Sequence, residues 1–274
     1  MIDITLLFLA GLAGGLIAGL LGVGGGIFYL LVLPLALSHV GVPESEMVQY
    51  TIANSLLGTT FAALSGSLAQ IKHKNFFLKP VLWVSVGAII ISTLTLYLFV
   101  NTPMYSKEVF NIVVIFLLTF ILWRTLRKSA LKAASGPQEE RPATPSWLLG
   151  AGGSGGLIAA LSGLGGGSIV VPFLNLILKM DIKKAKSISL GMIFFTGLWV
   201  TLYNMAEVPA MPFSHGNMGY IVFPVVVPLG LGVIIASPFG VKLSHRLSSR
   251  TISILFATFI FVVILKKAIE LIQL

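Results

Sequence analysis

The sequence GGLIAGLLGVGGG at residues 14–26 returns almost unchanged as GGLIAALSGLGGG at residues 155–167, with ten of thirteen positions identical. Each copy begins in a long apolar segment and ends in a glycine-rich run. Such a run is a poor helix, because each glycine costs about 1 kcal/mol relative to alanine in a helix interior. A short apolar segment follows each run, at residues 27–38 and 168–178. The repeat therefore predicts two copies of one structural unit, each with a glycine turn between two helical segments.

The composition around these copies is that of a membrane protein. The chain has 274 residues, of which 56% are hydrophobic and 10% are charged, whereas a soluble domain has about 25% charged residues. Apolar runs of roughly 18–23 residues, the length that crosses a bilayer, recur along the chain. This pattern excludes a cytosolic enzyme and a disordered chain, and the absence of cysteine excludes a disulfide scaffold. We expect an all-α polytopic membrane protein.

The repeat divides the chain into two halves joined by a polar linker. Residues 1–125 form the first predicted repeat, and residues 147–274 form the second. The linker, residues 126–146, is too polar to be buried. Each half is predicted to contain a glycine-tipped helical hairpin and three membrane-spanning helices: hairpin 4–38 with spans 48–68, 80–100 and 107–123, and hairpin 147–178 with spans 186–204, 219–241 and 251–270. A weaker echo aligns Asn54-Ser55-Leu56 with Ile188-Ser189-Leu190.

The distribution of lysine and arginine selects the topology. If each short segment merely extended the helix before it, the 18 basic residues would divide 10 to 8 between the two sides of the membrane. If each short segment turns back, 15 basic residues lie on one side and 3 on the other. Cytoplasmic loops retain lysine and arginine, so we expect the second arrangement, with a cytoplasmic linker and both termini extracytoplasmic. The two halves then have opposite orientations in the membrane, as inverted repeats.

The glycine runs are candidates for a binding site. Unwound backbone at membrane depth is tolerated only where it lies inside the protein or lines a cavity. The helix after each run directs its free N–H groups into the turn, an arrangement that binds anions. Close helix packing is the alternative explanation of such glycines. Their recurrence in both halves favours a ligand site at two sets of three glycines: Gly24, Gly25 and Gly26, and Gly165, Gly166 and Gly167.

The charged residues limit what such a site could hold. None of the nine acidic and 18 basic residues falls in the middle of a predicted span, so a buried cation site made of carboxylates is not expected. No buried lysine or arginine is expected either. A substrate must then be held by backbone N–H, hydroxyl and amide groups, which suit a small anion. Polar residues at helical depth complete the candidate substrate site: Thr51, Asn54, Ser55, Ser187 and Ser189.

Other functional classes find little support in the sequence. It contains no His-Glu-x-x-His zinc motif, and the glycine runs follow membrane segments rather than the strand of a dinucleotide-binding unit. We therefore expect no enzyme, no cofactor and no metal. Cytoplasmic loops account for the net charge of +9 better than nucleic-acid binding does. The expected partners are a small anionic substrate and the lipid bilayer, with assembly into a homo-oligomer left open.

The two glycine runs and the segments after them resemble the sulfite exporter TauE/SafE family of membrane permeases. The mark of that family is a Gly-x-Gly-Gly-Gly run after an early apolar segment, repeated in the second half, here at residues 22–26 and 163–167. A Thr/Ser-rich segment follows, here at residues 51–56 and 187–190. The resemblance covers nearly the whole chain. It implies transport of small sulfur-containing anions or organic acids across the bacterial inner membrane, such as sulfite, thiosulfate, sulfonates or sulfonated carboxylates.

The leading hypothesis is a secondary transporter that works by alternating access around the two hairpins. An anion channel and a permease for a non-sulfur organic acid are the alternatives. A membrane scaffold is disfavoured, because the chain lacks large soluble loops for partners. The sequence selects neither the individual anion, nor the direction of transport, nor a coupling ion.

Overall fold

The computed structural model of the chain describes residues 4–21, 24–102, 104–131, 141–211, 216–247 and 249–273. Several sequence predictions fall outside these ranges. They concern Gly22 and Val23 of the first glycine run, residues 132–140 of the linker and the two chain ends.

Ten α-helices lie in the described ranges: α1 (Ile4–Leu21), α2 (Gly26–His39), α3 (Met47–Lys72), α4 (Leu78–Thr95), α5 (Lys107–Leu131), α6 (Pro145–Ser162), α7 (Gly167–Pro172), α8 (Ile182–Ala206), α9 (Phe223–Arg246) and α10 (Ser249–Ile272). Two of them continue as π-helical turns, α4 through Leu96–Val100 and α7 through Phe173–Ile177. A 3₁₀ turn, Glu44–Glu46, precedes α3.

These helices form an all-α polytopic membrane protein. By length and apolar composition, five helical segments in the described residues could cross a bilayer: Glu44–Lys72, Leu78–Val100, Lys107–Leu126, Ile182–Ala206 and Phe223–Leu243. Shorter apolar helices cover Ile4–Leu20, Gly26–His39 and Gly167–Ile177.

One predicted boundary is wrong. Residues 219–222 do not begin a helix, because strands β1 (Asn217–Met218) and β2 (Ile221–Val222) pair antiparallel just before α9. The N–H of Tyr220 donates a hydrogen bond to the carbonyl of Asn204, at 3.0 Å. This bond joins the strand pair to the end of α8, so α9 starts only at Phe223.

Glycines let the first helix of each half lie directly on the backbone of a helix from the other half. On α1, a Cβ atom at Gly15 would lie 2.6 Å from the carbonyl oxygen of Val233 on α9. On α6, a Cβ atom at Gly156 would overlap the carbonyl oxygen of Ala88 on α4. Small residues permit such close backbone approach, which replaces the hydrophobic effect as a source of helix association in lipid. The first helix of each half thus packs on the fourth helix of the other half.

The third helices of the two halves, α3 and α8, cross at the centre of the bundle. In their apolar windows 67% and 61% of the residues are buried, against 33% in α5. Gly66 near the end of α3 contacts Leu190 near the start of α8, and Thr60 contacts Gly197 further along α8. The two helices therefore run in opposite directions, with their midpoints close together.

Each end of the bundle is closed by contacts between segments that are distant in the chain. At one end, the N–H of Arg141 before α6 donates to the carbonyl of Leu178 after the α7 segment, at 3.0 Å. The hydroxyl of Ser187 donates to the carbonyl of Asn75 at the same end. At the opposite end, the carboxylate of Glu46 contacts the segment between α8 and α9. The chain before α6 and the chain after α7 therefore meet at one end of the molecule.

Candidate functional site

The glycine turns have a backbone conformation that side chains disfavour. Gly24 and Gly25 have φ angles of 83° and 76°, and Gly165 and Gly166 have φ angles of 79° and 73°. Glycine adopts these left-handed values without steric cost, whereas other residues do not. The two turns therefore share one conformation at corresponding positions of the repeat.

The two turns meet between α3 and α8. A Cβ atom at Gly26 would lie 2.8 Å from the carbonyl oxygen of Gly163, so the backbones of the two turns are in contact. Gly24 and Gly165 both face Thr59, near the middle of α3. A Cβ atom built on Gly24 would lie 3.5 Å from Cβ of Thr59, and one built on Gly165 would lie 3.3 Å from Oγ1 of Thr59. Both glycines also face Ile193, near the middle of α8. Cβ atoms built on Gly24 and Gly165 would lie 3.8 and 3.4 Å from the Ile193 side chain. The turns thus lie at half depth in the bundle.

Among the described residues, several peptide N–H groups of these turns have no acceptor. Within the described residues, no hydrogen bond uses the N–H of Gly25, Gly26, Gly166 or Gly167 as donor. Such free donors are the normal consequence of starting a helix. In lipid they need a polar partner, because water is scarce at that depth.

Two small cavities flank the contact between the turns, and each has room for about one or two water molecules. One is lined by Leu56, Thr59, Ala159, Gly165, Ile193, Thr196, Gly197 and Val200. The other is lined by Ala18, Gly19, Gly24, Ala62, Gly66, Leu190, Ser237 and Val241. The repeat alignment relates five positions of the first cavity to five of the second, including Gly165 to Gly24 and Ala159 to Ala18. The first lies toward the start of α3, and the second lies toward its end.

The structure brings some of the predicted polar residues to the turns and keeps others away. The hydroxyl of Ser55 donates to the carbonyl of Gly163, at 2.8 Å. The hydroxyl of Ser189 is buried, has no partner among the described residues, and lies 2.9 Å from a Cβ position at Gly167. Thr51 is buried without a partner for its hydroxyl in the described ranges, about 12 Å along the helix axis from Thr59.

Ser187 lies outside this group. Its hydroxyl is bonded to the carbonyl of Asn75 at the end of the bundle, about 9 Å along α8 from Ile193. In this conformation its hydroxyl proton is not directed at the glycine turns.

The side-chain amide of Asn54 is fully engaged in hydrogen bonds within the protein. Its amide nitrogen donates to the carbonyls of Tyr50 and Tyr220, at 2.7 and 2.9 Å. Its amide oxygen accepts the N–H of Val222, at 2.9 Å. Both donor hydrogens are therefore engaged, and in this conformation Asn54 offers no donor to an anion. Its side chain instead joins the first third of α3 to the β1–β2 pair.

A carboxylate that was not among the predicted site residues, that of Glu46, holds the same segment. Glu46 is 7% exposed and accepts the N–H groups of Ala210 and Met211, at 2.9 and 3.0 Å. The Tyr220 hydroxyl also lies 3.1 Å from it and donates to it. Burial, and then the charge of Glu46, raises the pKa of the Tyr220 phenol, which keeps the hydroxyl a donor. The pair Glu44 and Glu46 directly before a helix was the available sequence signal.

The expectation of no buried basic residue is wrong for Lys267. It is 2% exposed, and its ammonium lies 2.6 Å from the carboxylate of Glu270 and 5.3 Å from the ring centre of Phe110. A lysine stem can be buried when its charge is paired in this way. Lys267 is a residue of α10 whose side chain faces α5, away from the glycine turns. The described residues contain no group of three or more His, Asp or Glu side chains suited to a metal ion.

Comparisons with known proteins agree with the resemblance drawn from the glycine runs. The family model described as Sulfite exporter TauE/SafE matches residues 7–267. A probable membrane transporter protein of Haemophilus influenzae is 29% identical over 273 residues, covering 95% of this chain and 96% of that protein. A probable membrane transporter protein of Methanocaldococcus jannaschii is 23% identical over 258 residues, covering 93% and 91%. The probable membrane transporter protein YunE of Bacillus subtilis is 25% identical over 260 residues, covering 90% and 91%.

No solved structure matches the chain. The family match spans both glycine turns and the helices that hold them, and the relatives match over nearly their full lengths. The prediction of the family is therefore confirmed. The chain belongs to the TauE/SafE sulfite exporter family and is a membrane transporter of that type.

Proposed function

We propose that this transporter moves a small sulfur-containing anion, such as sulfite, thiosulfate, an organosulfonate or a sulfonated carboxylate, across the bacterial inner membrane by alternating access. The observation that carries the proposal is the contact of the two glycine turns between Thr59 and Ile193, with one small cavity on each side. A site at half depth with related cavities toward both faces suits a carrier that opens to one side at a time.

The donor chemistry supports an anion as the substrate. The turn N–H groups and the Ser189 hydroxyl are neutral donors without acceptors among the described residues. Neutral donors attract an anion less strongly than a buried lysine would, so the anion can be released after crossing. The proposed substrate site keeps the six turn glycines, with Ser189 as a direct contact. Ser55 and Asn54 are assigned to holding the site in shape, since their donors are engaged.

We further propose that the two halves are inverted repeats, with residues 1–125 and 147–274 as the units and residues 126–146 as a cytoplasmic linker. The proposal is supported by reciprocal packing, in which α1 lies on α9 and α6 lies on α4. It is also supported by the opposite directions of α3 and α8. The expected arrangement has both termini extracytoplasmic.

The absence of cysteine allows a direct test of this orientation. Lys74→Cys and Met104→Cys place one exposed thiol each at opposite ends of the bundle. A membrane-impermeant maleimide should label Met104→Cys in intact cells, and should label Lys74→Cys only after permeabilisation. The reverse labelling pattern would invert the proposed topology, and labelling of both from outside would contradict it.

The transport proposal is tested by uptake into proteoliposomes. Purified protein is reconstituted, and the entry of labelled sulfite, thiosulfate and a sulfonated carboxylate is measured with and without a proton gradient. We expect saturable uptake of at least one sulfur anion, accelerated by the same anion on the far side. Flux without this acceleration would favour an anion channel. Uptake of non-sulfur organic acids alone would contradict the sulfur substrate.

A further inference from the structure

Most buried threonines on the central helices bond to their own helix, but among the described residues Thr51 and Thr196 do not. Thr59 and Thr60 donate to the carbonyl of Leu56, and Thr201 donates to the carbonyl of Gly197. This back-bonding is the usual state of a threonine in a membrane helix. Thr196 is 3% exposed, yet its hydroxyl has no partner in the described part of the chain. Its side chain instead lines the cavity beside Gly165.

A second uncommitted hydroxyl points at the other glycine turn. The ring of Tyr29 is fully buried between two glycines, with hypothetical Cβ atoms at Gly14 and Gly58 lying 2.8 and 2.9 Å from it. Its hydroxyl lies 3.1 Å from a Cβ position at Gly25 and has no hydrogen-bond partner among the residues described. A buried phenol normally finds a partner for its hydroxyl.

These hydroxyls break the symmetry of the repeat. The alignment of the glycine runs places Val170 where the first half has Tyr29. The alignment of α3 with α8 places Ala62 where the second half has Thr196. The backbone of the site is therefore nearly two-fold. Tyr29 from the first half and Thr196 from the second each place a hydroxyl, unpartnered among the described residues, where the other half has an apolar side chain.

We propose that the hydroxyls of Tyr29 and Thr196 are substrate contacts that determine specificity, each donating a hydrogen bond to an oxygen of the transported oxyanion once a cavity opens. This inference rests on the proposed function and names the side chains that recognise its substrate. A sulfur atom with three oxygens offers acceptors in three directions, whereas a carboxylate offers two in one plane. Donors from opposite halves therefore favour the sulfur oxyanion over a carboxylate of similar size.

The test removes each hydroxyl while keeping the shape of its side chain. Tyr29→Phe and Thr196→Val are compared with matched controls whose hydroxyls are bonded within the protein. Tyr105→Phe removes a hydroxyl that donates to the carbonyl of Leu161, at 2.6 Å. Thr201→Val removes a hydroxyl that donates to the carbonyl of Gly197; Thr201 lies on the same helix as Thr196 and is equally buried, at 3% exposure. Apparent KM, maximal rate and thermal unfolding are measured in proteoliposomes and detergent.

We expect Tyr29→Phe and Thr196→Val each to raise the apparent KM for the sulfur anion by about tenfold, since hydrogen bonds to charged groups are the stronger class. In these two variants, methanesulfonate should lose more of its ability to inhibit uptake of the sulfur anion than acetate does. Their thermal stability should not fall below that of the wild-type protein. The two controls should keep the wild-type KM and lose stability.

The outcomes separate this inference from the proposed function. Wild-type flux with an unchanged KM in both test variants contradicts the assignment of the two hydroxyls and leaves the transport proposal intact. A loss of stability equal to that of the controls, without a change in selectivity, shows that the hydroxyls only support packing. Absence of flux of every sulfur anion through the wild-type protein contradicts the proposed function and the substrate role together.

Discussion

Gly25 and Gly166 occupy the same position of the repeat, with φ angles of 76° and 73°. Their surroundings differ. A methyl group at Gly25 would meet the Ala18 methyl at 3.0 Å and the Tyr29 hydroxyl at 3.1 Å. A methyl group at Gly166 would overlap the carbonyl oxygen of Gly155. The neighbours of the first turn, which include the carbonyl oxygen of Gly14 at 3.2 Å, would have to move by only a few tenths of an ångström, whereas at the second turn the added atom overlaps backbone.

The two copies of the repeat are more alike in backbone geometry than in side-chain chemistry. Both turns need glycine for their conformation. The atoms around them, however, come from helices whose residues have diverged, with Tyr29 facing one turn and Val170 packed behind the other. A site built in this way can hold an asymmetric set of donors on a symmetric frame.

Alanine at the two turns should give the largest difference between the halves. Gly166→Ala combines left-handed strain with overlap of backbone, and should lose roughly 2–5 kcal/mol of stability. Gly25→Ala adds mainly the strain, and should lose about 1–2 kcal/mol. Thermal unfolding in detergent measures the order of the two. Equal losses, or the reverse order, would mean that the contact of Gly166 with Gly155 is not rigid.

Valine at the same positions tests the role of the turns in transport. Gly25→Val and Gly166→Val should each abolish uptake, because a branched side chain would fill the region where the turns meet. Gly25→Val should still insert into the membrane. Substantial transport by a well-inserted Gly25→Val protein would place the substrate away from this turn.

The acidic residue just before the third helix of each half also has a different environment in the two halves. Glu46 is buried and accepts three hydrogen bonds from the α8–α9 segment, whereas Asp181 is exposed and caps its own helix at the N–H groups of Lys183 and Lys184. Glu46→Ala should cost about 3 kcal/mol, because it leaves buried donors unpaired. Asp181→Ala should cost about 1 kcal/mol, as a lost N-cap. Chemical unfolding of both variants measures the two losses of unfolding free energy and so checks their ratio.

Asn54 and its counterpart Ile188, both in the first third of a central helix, give the same contrast between the halves. Asn54→Ala should lose about 1–3 kcal/mol, since the N–H of Val222 is then left without its acceptor. Proteolysis within residues 207–222 should accelerate in this variant. An Asn54→Ala protein with normal stability and a raised KM would instead return Asn54 to direct substrate contact.

Ser55 and Ser189 should give the smallest effects and separate two roles. Ser55→Ala removes the bond to Gly163, and should lower stability by about 1 kcal/mol. Ser189→Ala removes a hydroxyl without a partner in the described residues, and should leave stability unchanged while raising the apparent KM. If neither serine affects affinity and both affect stability, Ser189 is a packing residue.

The amino-acid sequence alone was enough to establish the class of the protein, its family and the approximate positions of most helices, although α9 begins later than predicted. These properties depend on local composition: apolar runs long enough to span a bilayer, and glycine runs that no helix accommodates. The doubled run at residues 14–26 and 155–167 also located the two turns that meet at the centre.

Which polar groups are free depends instead on long-range packing. Asn54 bonds to Tyr220, Ser55 to Gly163 and Ser187 to Asn75, each partner more than 100 residues away in the chain. No local pattern reports a partner at that separation, so residues of the same type and burial can have opposite roles. The hydroxyls of Tyr29 and Thr196 have no hydrogen-bond partner in the described chain, and that is a property of the packed bundle.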